Sequence, residues 1–232
     1  MRTLTGHRCS VSFANPIAGV ISDAAGNLYG TTEYGGNGEG TVFKVVAGSG
    51  TATPLGVFNG VNGADVYSGV IADSAGNLYD TAGGGGASGQ GTVFKYTAAT
   101  SALTALASFD DSDGNYPTAG SLISDAAGDL FGVASYGGTS EDGTIFEVVA
   151  GSNTITTLAS FNGTDGEGPE CALVADAEGN LYGTAEYGGV EDRGTVFELT
   201  DSGFVTSVPE PASAFLLGAA SVSLLMRRRS RV

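Results

Sequence analysis

The chain has 232 residues, of which only 15% are charged, while Gly contributes 39 and Trp none. The formal net charge is −16, and the body is more acidic still: residues 1–208 carry 24 acidic and 5 basic side chains. No basic patch exists to neutralise phosphates, which argues against nucleic acid as a partner. The regular recurrence of Val, Ile, Leu, Phe and Tyr argues against disorder. The acidity fits solubility outside the cell, with cation binding as the alternative.

Taken from the N-terminus, residues 1–8 (MRTLTGHR) are polar and are followed by no apolar run of signal-peptide length. The stretch from Cys9 to Phe13 then reads as a short strand ending in Ser-Phe. From there the chain repeats itself. Asp23-Ala-Ala-Gly-Asn-Leu-Tyr-Gly30 returns as Asp73-Ser-Ala-Gly-Asn-Leu-Tyr-Asp80, Asp125-Ala-Ala-Gly-Asp-Leu-Phe-Gly132 and Asp176-Ala-Glu-Gly-Asn-Leu-Tyr-Gly183, at spacings of 50, 52 and 51 residues. A second anchor follows each copy: Gly40-Thr-Val-Phe43, Gly91-Thr-Val-Phe94, Gly143-Thr-Ile-Phe146 and Gly194-Thr-Val-Phe197. Self-similarity at this period marks stacked or radially arranged units.

Each unit reads as four strands. In the third, residues 121–124 are an apolar-rich strand, and 125–129 a turn in which Asp caps backbone N–H groups and Gly takes positive φ. Residues 130–134 return, 135–142 form a glycine-rich loop, and 143–149 and 154–161 alternate with period two. Four antiparallel strands in about 50 residues is the arithmetic of a propeller blade. The expected fold is therefore all-β: a propeller of four four-stranded blades over residues 9–207, followed by a short C-terminal hydrophobic helix in a 208–232 tail. The ends of the array predict ring closure. The last unit lacks a clear fourth strand, and either Cys9 to Phe13 or Phe204 to Ser207 fits the vacant slot. The loop from Phe13 to Pro16 is five residues shorter than those from Phe109 to Pro117 and Phe161 to Pro169. Cys9 and Cys171 do not make a disulfide framework. The strand order places them at opposite ends and radii of a blade, so they are expected to stay unpaired.

The pattern Gly-Val-Ile-x-Asp-x-x-Gly-Asn-Leu-Tyr resembles NHL-type and gluconolactonase-like propellers. The set Gly-Asn-Leu-Tyr-Gly-Thr, Tyr-Gly-Gly and Gly-Thr-Val-Phe is more closely similar to the bacterial tandem repeats called Gloeo/Verruco (GloVer) repeats, over roughly residues 11–207. That resemblance implies a secreted protein with an anchoring tail and says little about activity.

The tail reads VPEPASAFLLGAASVSLLMRRRSRV. A box of Val208, Pro209, Glu210 and Pro211 precedes an uncharged run, residues 212–226, and then Arg227, Arg228, Arg229 and Arg231. This order resembles the PEP-CTERM sorting tail of Gram-negative bacteria. The resemblance implies export, a precursor anchored in the inner membrane, cleavage by an exosortase, and release to the surface or matrix, often alongside exopolysaccharide. The physical reading agrees in sign. As a helix the run spans about 22 Å, short of a ~30 Å hydrocarbon core, with arginine stems extending the reach and the basic cluster staying cytoplasmic.

Candidate chemistry is sparse. His7 is the only histidine, which leaves no His-based metal site or catalytic triad. Asp111, Asp113 and Asn115 alternate like the start of a calcium loop, although the equivalent loops at 59–65 and 162–167 are ordinary Asn-Gly and Asp-Gly turns. Tyr34, Tyr136 and Tyr187 of the Tyr-Gly-Gly loops recur at one end of each blade, with Gly84 in the second unit, and suit stacking on sugar rings or packing against the next blade. No convergent catalytic set is visible, so the expected class is a surface binding or structural propeller rather than an enzyme. A hydrolase or lactonase acting on extracellular carbohydrate or lactone is the alternative.

Overall fold

The computed structural model describes residues 13–118 and 120–206. The sorting box, the apolar run with its expected helix, the arginine cluster and Cys9 lie outside these residues. Every regular element among the described residues is a strand.

The first unit contains β1 (Phe13–Ala14), β2 (Ile21–Ser22), β3 (Leu28–Thr32), β4 (Tyr34–Gly35), β5 (Thr41–Val45) and β6 (Ala52–Val57). The second contains β7 (Ile71–Ala72), β8 (Leu78–Ala82), β9 (Thr92–Thr97) and β10 (Ala102–Ser108). The third contains β11 (Ile123–Ser124), β12 (Leu130–Ala134), β13 (Thr144–Val148) and β14 (Thr156–Ser160). The fourth contains β15 (Glu167–Pro169), β16 (Val174–Ala175), β17 (Leu181–Tyr187) and β18 (Thr195–Leu199). Each of the first three units forms a four-stranded antiparallel meander: β2-β3-β5-β6, β7-β8-β9-β10 and β11-β12-β13-β14. In the fourth, β16, β17 and β18 follow the same path, but the fourth strand is β15, paired to the far end of β17.

The repeated Asp builds the turn between the first two strands. Asp23 Oδ1 accepts the backbone N–H groups of Ala25 and Asn27, each at 2.9 Å, and its Oδ2 accepts Asn27 Nδ2 and Tyr29 Oη. Asp73 and Asp176 repeat the set. The Gly of the motif sits at positive φ in all four turns, between 78° and 88°, where a Cβ is strained.

The sheets stack face to face in sequence order around three apolar layers. The Phe that closes one unit meets the Phe of the next unit's Gly-Thr-Val-Phe anchor edge to face: Phe58 on Phe94 at 4.8 Å, Phe109 on Phe146 at 4.9 Å, Phe161 on Phe197 at 5.0 Å. This geometry is favoured by the ring quadrupoles. Around these pairs, Val42 packs with Val70 and Leu78, Val93 with Leu122 and Leu130, and Ile145 with Leu173 and Leu181. The segments entering each unit crowd together at the hub, with Gly69 against the Gly19 carbonyl and Gly120 against Ala172.

Ring closure takes a different course from the one the sequence predicts. Phe13 pairs with Gly35 and Ala14 with Tyr34, so the described end of the Cys9 to Phe13 stretch lies on the first unit and not on β18. This pairing matches the bridges Ala64 to Gly84 and Asn115 to Tyr136 in the next units. The five-residue-shorter loop brings the chain straight from Phe13 to that bridge. Nor do residues 204–206 fill the slot beside β18. They leave the fourth unit and cross to the third, for a reason visible in the motif. The third unit has Asp129 and Phe131 where the others have Asn and Tyr, so Asp125 Oδ2 lacks both side-chain donors. It accepts the Val205 N–H instead, at 3.0 Å, while Ala126 N–H donates to the Val205 carbonyl. Phe204 covers the fully buried Phe131 at a centroid distance of 5.1 Å. Among the described residues no strand pairs with the outer edge of β18, and no apolar layer joins the fourth sheet back to the first.

Candidate carbohydrate-facing belt

The end of the sheets opposite the Asp turns carries the glycine-rich loops, and there the tyrosines gather. Tyr34, Tyr136 and Tyr187 are each about half exposed, with 48%, 52% and 49% of their surface accessible. Two tyrosines that the repeat motif does not include, Tyr67 and Tyr116, complete the set. Tyr116 stands between its neighbours, its ring 6.0 Å from Tyr67 and 6.3 Å from Tyr136.

The second unit makes room for this ladder. Where the others have Glu33-Tyr34, Ser135-Tyr136 and Glu186-Tyr187, it has Gly83-Gly84. A Cβ on Gly83 would stand 2.4 Å from Thr118 Cγ2 and 3.4 Å from the Tyr116 ring. The tyrosine missing from the second unit's own loop is thus replaced in space by residues entering from its neighbours. Tyr116 reaches this place from a left-handed backbone, φ 55°, as do Asp65 and Asn15 at the equivalent positions. Their carbonyls hold the following loop by accepting the N–H groups of Ser135, Gly83 and Glu33. The signal in the sequence was only a Tyr at one of three equivalent loop positions, which no repeat comparison would select.

Carboxylates run alongside the rings. Glu33 is largely buried, takes a hydrogen bond from Asn15 Nδ2, and raises the Tyr34 phenol pKa. The Tyr116 phenol, more than burial, pushes Tyr67 far above the ordinary phenol range, with Asp65 and Glu33 adding to the rise. At the other end Glu186 raises Tyr187, with a smaller contribution from Glu170. These phenols stay protonated at neutral pH and can donate hydrogen bonds to ligand oxygens. Apolar ring faces beside donors and acceptors are what pyranose recognition requires.

The calcium candidates are committed elsewhere. Asp111 Oδ1 accepts Asn115 Nδ2 at 3.0 Å, and Asp113 Oδ1 accepts the Asp110 N–H at 2.9 Å. Asn62 and Asp165 make the same closing bond in the sister loops, to the N–H groups of Asn59 and Asn162. The alternation is that of a turn. Among the described residues no group of three His, Cys, Asp or Glu side chains could hold a metal ion. Cys171 forms no disulfide among these residues, and its Sγ accepts the Thr184 N–H at 3.2 Å.

Asp80 is a buried carboxyl to which no sequence motif points. It replaces the Gly found as Gly30, Gly132 and Gly183, at each of which a Cβ would press on the ring of the anchor Phe. Asp80 is fully buried; Oδ2 accepts Ser68 Oγ at 2.8 Å, and Oδ1 finds no partner. Burial drives its pKa well above the usual carboxylate range.

Comparison with known proteins gives a repeat family and a fold. The family model described as the Gloeobacter/Verrucomicrobia repeat matches residues 7–128 and 118–227. No curated protein sequence matches the chain. A polysaccharide lyase of family PL25, an ulvan lyase solved with a -[GlcA(1-4)Rha3S]- ligand, is similar at a TM-score of 0.54 and 14% identity, over 84% of this chain and 54% of that one. The extracellular domain assigned to a one-component system of B. thetaiotaomicron gives 0.50 and 13%, over 78% and 21%. A gluconolactonase from Xanthomonas campestris gives 0.49 and 18%, over 81% and 60%. The chain thus spans less than two thirds of these structures, and the likeness is one of propeller architecture.

Proposed function

The chain belongs to the Gloeobacter/Verrucomicrobia repeat family, and from that premise we propose that it is an exported surface or matrix protein whose tyrosine belt binds carbohydrate. The observation that carries this reading is the Tyr67–Tyr116–Tyr136 ladder, continued by Tyr34 and Tyr187 and lined by carboxylates. Rings about 6 Å apart and partly exposed offer successive platforms along a sugar chain rather than one deep pocket. The acidic surroundings oppose polyanions, so the ligand is a neutral polysaccharide. Export rests on the tail: the box Val208, Pro209, Glu210 and Pro211, the apolar run and the four arginines. An exosortase-type enzyme would sort and cleave the inner-membrane precursor of a Gram-negative cell. Residues 203–206 leave from the end of the sheets opposite the belt. A precursor held by its tail would therefore present the tyrosines away from the membrane.

Affinity electrophoresis in gels cast with neutral exopolysaccharide tests the belt. Retardation is expected for the native protein and should be lost in the double variant Tyr116→Ala/Tyr136→Ala, each stacking platform contributing about 0.5–1.5 kcal/mol. Equal retardation of native and doubly substituted protein would refute it. In the host, mass spectrometry should find the secreted protein ending near Pro211; an intact Val232 would refute sorting by cleavage.

A second reading, hydrolysis or lactone opening on extracellular carbohydrate, draws support from the polysaccharide lyase among proteins of similar architecture. Release of reducing ends or acid from a panel of glycans and lactones would favour it over binding alone.

A further inference from the structure

The repeat specifies its own contacts, and the two outermost sheets display both halves of one such contact unused. In each of the three internal layers, a unit offers its forward face to the backward face of the next. The forward face is led by Val42, Val93 or Ile145, with exposures of 0%, 0% and 2%. Register and motif make Val196 of β18 the fourth member of this series, and it is 81% exposed. Its neighbour Val174, equivalent to the packed Ile21, Ile71 and Ile123, is 66% exposed. The backward face is led by Val70, Leu122 and Leu173, none more than 3% exposed, whereas the equivalent Val20 of the first unit is 50% exposed. Leu28 likewise stands at 36% where Leu78, Leu130 and Leu181 are buried.

We propose that copies of this chain associate head to tail, the forward face of one fourth sheet packing on the backward face of the next copy's first sheet. The occupant follows from continuity: the interface is a fourth instance of one the molecule already forms three times, with the same residue types at the same positions. A different protein would have to imitate that face. Isolated apolar residues on a surface need no explanation, but a contiguous set equivalent to a buried layer does. The contact is heterologous, since the two surfaces differ, so it extends beyond a dimer unless the assembly closes.

Heterologous geometry supplies a sharp test. The full chain is studied in mild detergent by sedimentation velocity over a range of concentrations, alone and as Val196→Asp and Val20→Asp. Both positions are exposed, so the variants fold; circular dichroism checks this. Native protein is expected to form dimers and longer species. Each variant alone is expected to lose them. An equimolar mixture should regain a dimer and stop there, because each partner contributes one intact face and the remaining two are blocked. Association through the apolar tail, common to all samples, would persist in every variant and would overturn the proposal. So would a native chain that stays monomeric at every concentration, or a mixture of variants that fails to pair.

Discussion

Replacing Phe204 with Ala tests whether the crossing segment belongs to the folded body. The ring is half-buried against Phe131, which is itself fully covered. Full burial of a Phe contributes about 1.5–3 kcal/mol, so a half-buried ring accounts for about 1 kcal/mol. The tilted pair at 5.1 Å adds about another 1 kcal/mol. The expected loss is about 2 kcal/mol, a drop in Tm of roughly 4–8 °C for a domain of this size, read by urea and thermal unfolding. Asp125→Asn should act on the same segment, because its amide can keep the turn bonds to Ala127 and Asp129 while placing a donor against the Val205 N–H. Since both changes release one segment, the double variant should lose less than the sum. Removal of residues 208–232 should leave Tm nearly unchanged. A Phe204→Ala change within about 0.5 kcal/mol of native, the scatter of surface substitutions, would refute the docking of residues 203–206 on the third unit.

Asp80→Asn should stabilise at neutral pH. The native carboxyl has a raised pKa in the fold, so its folded state favours the proton, and stability is lost as pH rises from the unfolded carboxylate pKa through the folded one. The gain of the Asn variant over native should therefore shrink toward about pH 4, near the unfolded Asp value; a pH-independent difference in urea midpoints would contradict this. Asp23, held at about 2 by Asn27, behaves with the opposite sign and loses its contribution as pH falls. Gly166→Ala should cost at least about 2 kcal/mol, since its Cβ would lie 2.7 Å from Ala185 Cβ and from Thr195 Oγ1 at φ 141°. Gly163→Ala, at φ 78° with its nearest neighbour at 3.6 Å, should cost about 1 kcal/mol; chemical denaturation of the two side by side compares them.

The sequence by itself determined the unit. Period, strand count, turn chemistry and the anchor phenylalanines follow from local rules: an Asp that caps its own turn, a Gly that takes positive φ, and alternation that buries one face. These act within about ten residues, so they are written as contiguous motifs. What lies between units had to be decided in three dimensions. Tyr67 and Tyr116 join the belt only because Gly83 leaves the second unit's loop open to them, a contact across 33 residues from Gly83 to Tyr116 that no motif records. The departures Asp129 and Phe131 looked like drift within a repeat, and only the fold shows that they free Asp125 for Val205, 80 residues away. The sequence offered two strands for the slot beside β18 and could not weigh either, because β-pairing is nearly indifferent to side chain when the partner is an edge. Tertiary packing decided it: residues 204–206 find a ring and a carboxylate on the third unit, and Phe13 is drawn to the first by a loop too short to lead anywhere else.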